Sequence, residues 1–232
     1  MIRIRKADQR GRTRIDWLDS RHTFSFGDYL DPSQMGFRSL RVINDDWVAP
    51  NAGFGMHPHR DMEIVTYVLE GELQHRDSMG HGEVLRAGEL QRMTAGTGIR
   101  HSEFNPSPTK PVHLYQIWLL PRERGLTPSY EQKAFPAEGR NGRFQLVASP
   151  DGKDGSLKIE QDARILLATV PTGRNLHQDL PAGRHAWLQV LRGKLTLNGE
   201  SLEPGDAAAL SDEATLDLQA SSDAEVMWFD LA

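Results

Sequence analysis

The chain of 232 residues contains no cysteine. That absence excludes a disulfide scaffold, an iron–sulfur centre and any thiolate metal site. A metal held here has to accept nitrogen and oxygen donors, which suits Fe, Mn, Ni, Cu or Zn. No run approaches the roughly 18 apolar residues of a membrane helix. The opening Met-Ile-Arg-Ile-Arg-Lys has no apolar stretch that could act as a signal segment. A cytoplasmic protein that does not enter a membrane is expected. Dense Lys/Arg blocks are missing too. Residues 1–41 carry nine Lys/Arg against five Asp/Glu, whereas residues 151–232 carry seven against fourteen. Arg3, Arg5, Arg10, Arg12 and Arg14 are spaced apart, as on the charged face of an ordered element, and the acidic remainder would repel a phosphate backbone. Direct nucleic-acid binding is not expected.

Long helical patterns with caps are also scarce, and what the chain has instead is strands and turns. Glu63-Ile64-Val65-Thr66-Tyr67-Val68-Leu69 is a β-branched run that suits a strand buried on both faces. Val112 to Leu120 reads as another, ended by Pro121, and Ser39 to Asn44 shows partial alternation. An all-β chain with short connections implies a sandwich or barrel. Leu69-Glu70-Gly71-Glu72-Leu73 is echoed by Leu191-Arg192-Gly193-Lys194-Leu195, and Gly82 to Glu89 by Gly199 to Asp206. The first glycines are offset by 122 positions and the later ones by 117, so the first copy carries five extra residues near His75 to His81. The repeat predicts two similar β-barrels in tandem, residues 1–130 and 131–232, divided within the polar, Pro/Gly-rich stretch from Pro121 to Asn141.

His57-Pro58-His59 and His101-Ser102-Glu103 are the segments with chemistry. Residues two apart on a strand point to the same face, so two such pairs facing each other would bring three imidazoles and one carboxylate to a point. The second half has only His177 and His185, eight apart, and no H-x-H. The metal is therefore expected in the first barrel alone.

These residues resemble a known family. Gly53 to Glu63, followed by Gly71, resembles the first cupin motif, and Gly96 to His101, followed by Asn105, resembles the second. Trp17-Leu18-Asp19-Ser20, His22 to Phe26, Leu40 to Asp46 and Gly96 to Glu103 match the pirin pattern within the cupins. The resemblance implies a bicupin, two tandem double-stranded β-helix (jelly-roll) barrels, with a metal in the N-terminal one held by His57, His59, His101 and Glu103. It further implies one divalent ion, Fe(II) preferred, with Zn, Mn, Ni, Cu or Co as alternatives. Two positions depart from the general cupin pattern: Gly96 stands where a proline is expected, and Glu63 sits one residue early; the pirin resemblance implies that this carboxylate is not a ligand, which leaves Glu63 either supporting the site or packing.

Bacterial pirins resemble quercetin 2,3-dioxygenases, which open a flavonol ring with dioxygen and release carbon monoxide. The resemblance implies a flavonol-like substrate and O2, with Glu103 as both ligand and general base. A metal- and redox-responsive regulator that docks on a protein partner is the alternative. A monomer is expected, because two barrels in one chain already form the pair that single cupins reach by dimerising. His75 and His81 read as solvated turn residues. His22 and His113 read as satisfied core histidines or pocket-lining donors, and Phe24, Phe26, Phe54 and Trp118 as either pocket or core.

Overall fold

The computed structural model describes residues 1–232. Its helical content is three short 3-10 turns, and everything else is strand, turn or loop. No helix is long and apolar enough to cross a membrane. The chain is all-β, as the strand patterning requires.

The strands run β1 (Ile2–Arg5), β2 (Gly11–Arg14), β3 (Leu18–His22), β4 (Leu40–Val48), β5 (Gly53–His59), β6 (Glu63–Glu70) and β7 (Glu72–Asp77). They continue with β8 (Val84–Arg86), β9 (Glu89–Thr94), β10 (Ile99–Phe104), β11 (Val112–Leu119), β12 (Ser129–Ala134), β13 (Gln145–Ser149) and β14 (Leu157–Lys158). Last come β15 (Ala163–Val170), β16 (Asn175–Asp179), β17 (His185–Arg192), β18 (Leu195–Leu197), β19 (Glu200–Leu202), β20 (Ala207–Ser211), β21 (Thr215–Ala220) and β22 (Ala224–Leu231).

Two compact units result. The first holds Gly11–Phe135 and Leu157–Gln161; the second holds Met1–Arg10, Pro136–Ser156 and Asp162–Ala232. This differs from the linear division at 130/131. Strand β1 pairs with β20, Ile2 opposite Leu210, and so belongs to the second unit. Ile2 and Ile4 pack on that unit's core. Local alternation predicts such a strand but cannot name a partner some 200 residues away.

In the first unit a seven-stranded sheet of order β12-β9-β6-β11-β4-β3-β2 accompanies a four-stranded sheet of order β5-β10-β7-β8. The second unit repeats the plan, with the order β1-β20-β17-β22-β15-β13 and a four-stranded sheet β16-β21-β18-β19. The glycine-rich echoes of the sequence fall on matching places: Gly71 joins β6 to β7, and Gly193 joins β17 to β18. Both adopt positive φ, 81° and 73°, where a side chain would be strained and its Cβ would strike backbone.

Along β6 the inward residues are Ile64, Thr66 and Val68, and along β11 they are Trp118, Gln116 and Leu114. Val68 and Leu114 belong to one apolar cluster with Leu18, Leu73 and Leu85. Ile64 and Trp118 belong to another, built on Met93, Ala95 and Ile99. A polar row therefore crosses the sheet between two apolar patches. In the second unit one continuous apolar cluster, from Ala168 to Trp228, fills the corresponding interior.

Candidate metal centre

Strand β5 lies at the edge of its sheet, where Pro58 can sit without removing a ladder hydrogen bond. It pairs with β10, so that His57 faces His101 and His59 faces Ile99. The register slips between His101 and Glu103, placing Glu103 opposite Phe54. Such a bulge re-aims side chains beside a site. Gly53 permits the close approach there, since a Cβ on it would lie 2.2 Å from the Glu103 carbonyl oxygen. Gly96 has φ +46°, with the Leu126 backbone against the place of its missing Cβ. Proline, fixed near φ −65°, could not replace it, which accounts for the departure from the general motif.

The three histidines converge. Ring centroids lie 4.7 Å apart for His57 and His59, 4.5 Å for His57 and His101, and 4.9 Å for His59 and His101. One donor nitrogen from each falls within 4.8 Å of the others, a spread that metal–nitrogen bonds of about 2.0–2.1 Å can gather on one ion. His57 Nδ1 lies 2.7 Å from the Gly55 carbonyl oxygen. A carbonyl only accepts, so the proton sits on Nδ1 and the Nε2 lone pair is free to bind. His101 is buried with neither ring nitrogen hydrogen-bonded. Burial and the neighbouring His57 and His75 lower its pKa to about 3. Burial, His101 and His57 lower that of His59 to about 3 as well. Imidazoles that stay neutral and unpartnered inside a protein are suited to metal ligation. The donor set fits a divalent ion of the nitrogen/oxygen class.

Glu103 lies next to this group, clustered with His101 and His75. Its Oε1 accepts from Gln91 Nε2 at 2.7 Å and lies 3.2 Å from Thr66 Oγ1, while its Oε2 accepts from Gln116 Nε2 at 2.7 Å. Gln91 spends its second N–H on Thr66 Oγ1 at 3.0 Å, and Thr66 Oγ1 is 3.0 Å from Gln116 Oε1. The Tyr130 hydroxyl lies 3.0 Å from Gln91 Oε1, fixing which way that amide points. Burial pushes the Glu103 carboxyl above the usual range, against the pull of His75 and Thr66. Oε2 carries a single donor and is the oxygen with capacity left for a metal or a proton.

His75 is the residue that sequence reading misplaces. Expected in a solvated turn, it is fully buried on β7, opposite Glu103 of β10. It stacks on Tyr130 at 4.4 Å and its Nε2 is 3.2 Å from Asp77 Oδ2. The signal was available: Leu73 and His75 share a face of β7, and Leu73 is core. His81 is partly exposed, bound to the same Asp77 at 2.8 Å.

Other candidates sort cleanly. His22 lines the cavity with Nε2 2.8 Å from Thr13 Oγ1 and Nδ1 2.8 Å from Asn44 Oδ1. His113 pairs with Asp45 at 2.6 Å beneath the half-exposed Trp47, away from the histidine cluster. Phe26, Phe54 and Trp118 line the cavity, whereas Phe24 is core. Glu63 is buried and accepts from Thr94 Oγ1 and from the Glu160 backbone N–H, which ties residues 157–161 to the first unit.

The pirin family model matches residues 3–119. The chain belongs to the pirin family. A second model, described as the quercetinase C-terminal cupin domain, matches residues 146–231. The fold of this pirin is thus a bicupin, two cupin domains in one chain. Quercetin 2,3-dioxygenase of Escherichia coli (strain K12) is 53% identical over 233 residues, covering 100% of this chain and 99% of that protein. A pirin-like protein of Caulobacter vibrioides is 41% identical over 233 residues, with full coverage of both. The crystal structure of the bacterial pirin YhhW from Escherichia coli in complex with nickel(II) superposes with a TM-score of 0.95 at 51% identity, covering 100% of this chain and 99% of that one.

Proposed function

We propose that this pirin is a metal-dependent dioxygenase of the quercetin 2,3-dioxygenase type, opening a flavonol ring with O2. The observation that carries the reading is the juxtaposition of three converging imidazoles with a buried, amide-clamped carboxyl on one wall of a cavity. His57, His59, His101 and Glu103 would hold one divalent ion, with Fe(II) preferred. Such an ion, when bound, supplies Lewis acidity and a meeting point for a flavonolate and dioxygen. The cavity measures about 250 Å³ and is lined by Leu18, Phe26, Phe54, Ile64 and Trp118 besides the polar residues. That is just below the roughly 300–1,000 Å³ of small-molecule sites, so only a compact, flat ligand fits.

The residues have separable tasks. Phe54 and Trp118 provide flat apolar walls that position an aromatic ring and exclude water. Glu103 Oε2 receives the hydroxyl proton of the flavonol, a transfer of the kind worth about 10²–10⁴-fold. Its raised pKa suits a group that must hold that proton. Gln91, Gln116 and Thr66 keep the carboxyl aimed while its charge changes. The E. coli quercetin 2,3-dioxygenase and the nickel(II) complex of YhhW support the reading by analogy.

The test is direct. Flavonol added to iron-loaded protein should lose its near-ultraviolet to visible absorption in step with oxygen uptake, and His59→Ala should abolish both. No turnover with any of several divalent metals would leave a regulatory binding protein as the better account.

A further inference from the structure

The histidine cluster has a further donor that the proposed metal set leaves unused. His75, on β7, is fully buried and stands opposite Glu103 of β10. Its Nε2 lies 3.2 Å from Oδ2 of Asp77, whose side chain has no exposed surface and whose Oδ1 accepts from the backbone N–H groups of Met79 and His81. A carboxylate only accepts, so the ring proton sits on Nε2 and the Nδ1 lone pair is left over. Nδ1 has no hydrogen-bond partner. Tyr130, stacked at 4.4 Å, fixes the ring plane. A ring N–H held by a carboxylate with the other nitrogen bare is the arrangement of a metal-bound histidine. His75 belongs to a second donor group: one ligand atom each from His75, His101 and Glu103 lie within 4.8 Å of one another, the same spread as for His57, His59 and His101. Both ring nitrogens of His101 lack a partner, so an ion on one leaves the other available. Glu103 has two oxygens, and its Oε2 carries a single donor. His75 does not line the cavity, so this group extends away from the space a substrate would fill.

We propose that His75, His101 and Glu103 form a second, weaker divalent-cation site beside the first, filled when metal is in excess. Two imidazoles and one carboxylate are a donor set that divalent transition ions take. Glu103, with Asp77 behind His75, supplies the negative charge that a dication needs in a buried place. With an ion on each nitrogen His101 releases its ring proton to solvent, a state that two cations stabilise. The site is the weaker of the two because it shares His101 and Glu103 with the first and has only His75 of its own. Filling it engages the Glu103 carboxyl, so excess metal would stop proton acceptance there; that consequence alone rests on the dioxygenase reading. A buried water could satisfy the same lone pair, and stoichiometry separates the two.

Equilibrium dialysis of the full chain against rising nickel(II), read by elemental analysis, tests this without any flavonol. The wild type should take up one equivalent, then a second at a free concentration at least about tenfold higher. At the level that fills the first site alone, the second stays empty. His75→Gln keeps a side-chain N–H for Asp77; it should retain the first equivalent and lose the second. Asp77→Asn should weaken the second by about 10–100-fold, the usual cost of losing a ligand's supporting carboxylate, and spare the first. The retained first equivalent shows that each variant is folded, and Asp77→Asn decides the matter if His75→Gln is not. Saturation of the wild type at one nickel, as a water at this place would give, overturns the proposal. So does a second equivalent that binds His75→Gln unchanged. Loss of both equivalents in a folded His75→Gln overturns it too, because His75 would then belong to the first site. Two equivalents without flavonol turnover would defeat the dioxygenase reading alone.

Discussion

The two cupin units share a strand plan and differ in what fills one row of it. In the first, Gln91, Thr66, Gln116, Asn44 and His22 are cross-strand neighbours from β9 through β6, β11 and β4 to β3. In the second, Ala208, Leu188, Trp228, Leu166 and Leu146 occupy the corresponding row on β20, β17, β22, β15 and β13. Facing these rows, β10 turns His101 and Glu103 inward where β21 turns Leu216 and Leu218. A single architecture thus supports a polar interior that can grip a carboxylate and an apolar interior that only packs. Ligand side chains alone do not make a metal centre. The row behind them must supply donors, because a carboxylate buried among leucines would give up its charge. The hairpin differs as well. The longer β7 carries His75 and Asp77 into the first unit, while β18 stops at Leu197 and turns through Asn198.

The largest effect should come from removing the ligands. Replacing His57 and His59 together by Ala should empty the first unit of metal and leave the apolar second unit folded; full metal occupancy by elemental analysis would refute the ligand assignment. Next, Glu103→Gln keeps an oxygen donor but removes the base, so flavonol turnover should fall by more than about 10². Near-normal rates would take Glu103 out of the mechanism. Making the row more like its apolar counterpart sharpens the contrast: Gln116→Leu removes the donor on Oε2 and should weaken metal affinity or activity by about 10–100-fold, the usual cost of losing a ligand's supporting hydrogen bond. An unchanged dissociation constant and rate would show the clamp to be decorative.

The smallest effect concerns pH. The Asp46 carboxyl is pushed up to about 7 by burial, against the Ser20 hydrogen bond, whereas an ordinary aspartate titrates near about 3.9. Between those values the folded chain binds more protons than the unfolded chain, so this group's contribution to stability declines as pH rises from about 4 to about 7. Asp46→Asn has no such slope. Its melting temperature should match the wild type near pH 4 and exceed it at pH 8. Parallel melting curves across that range would contradict the assignment.

Much of this was legible in the residues. The β-branched run of β6, the echo of Gly71 in Gly193 and the two histidine segments give the strand class, the repeat and the cluster, because each is a local pattern with a period of two or a glycine turn. The polar row was not legible as a row. Gln91, Thr66, Gln116, Asn44 and His22 come from five separate strands, and only sheet register aligns them. His75 and Asp46 were hidden for a related reason: a polar residue inside a strand reads as outward-facing until its neighbour across the ladder is known.

The pairing of β1 with β20 sets an order of events during synthesis. Residues 2–5 leave the ribosome some 200 residues before their partner strand Ala207–Ser211, a wait of about 10–40 s at about 5–20 residues per second. The first unit can be complete long before then. A chain ending at Gln161 would therefore contain every residue of the first unit, including the four proposed metal donors, with a loose strand at its front.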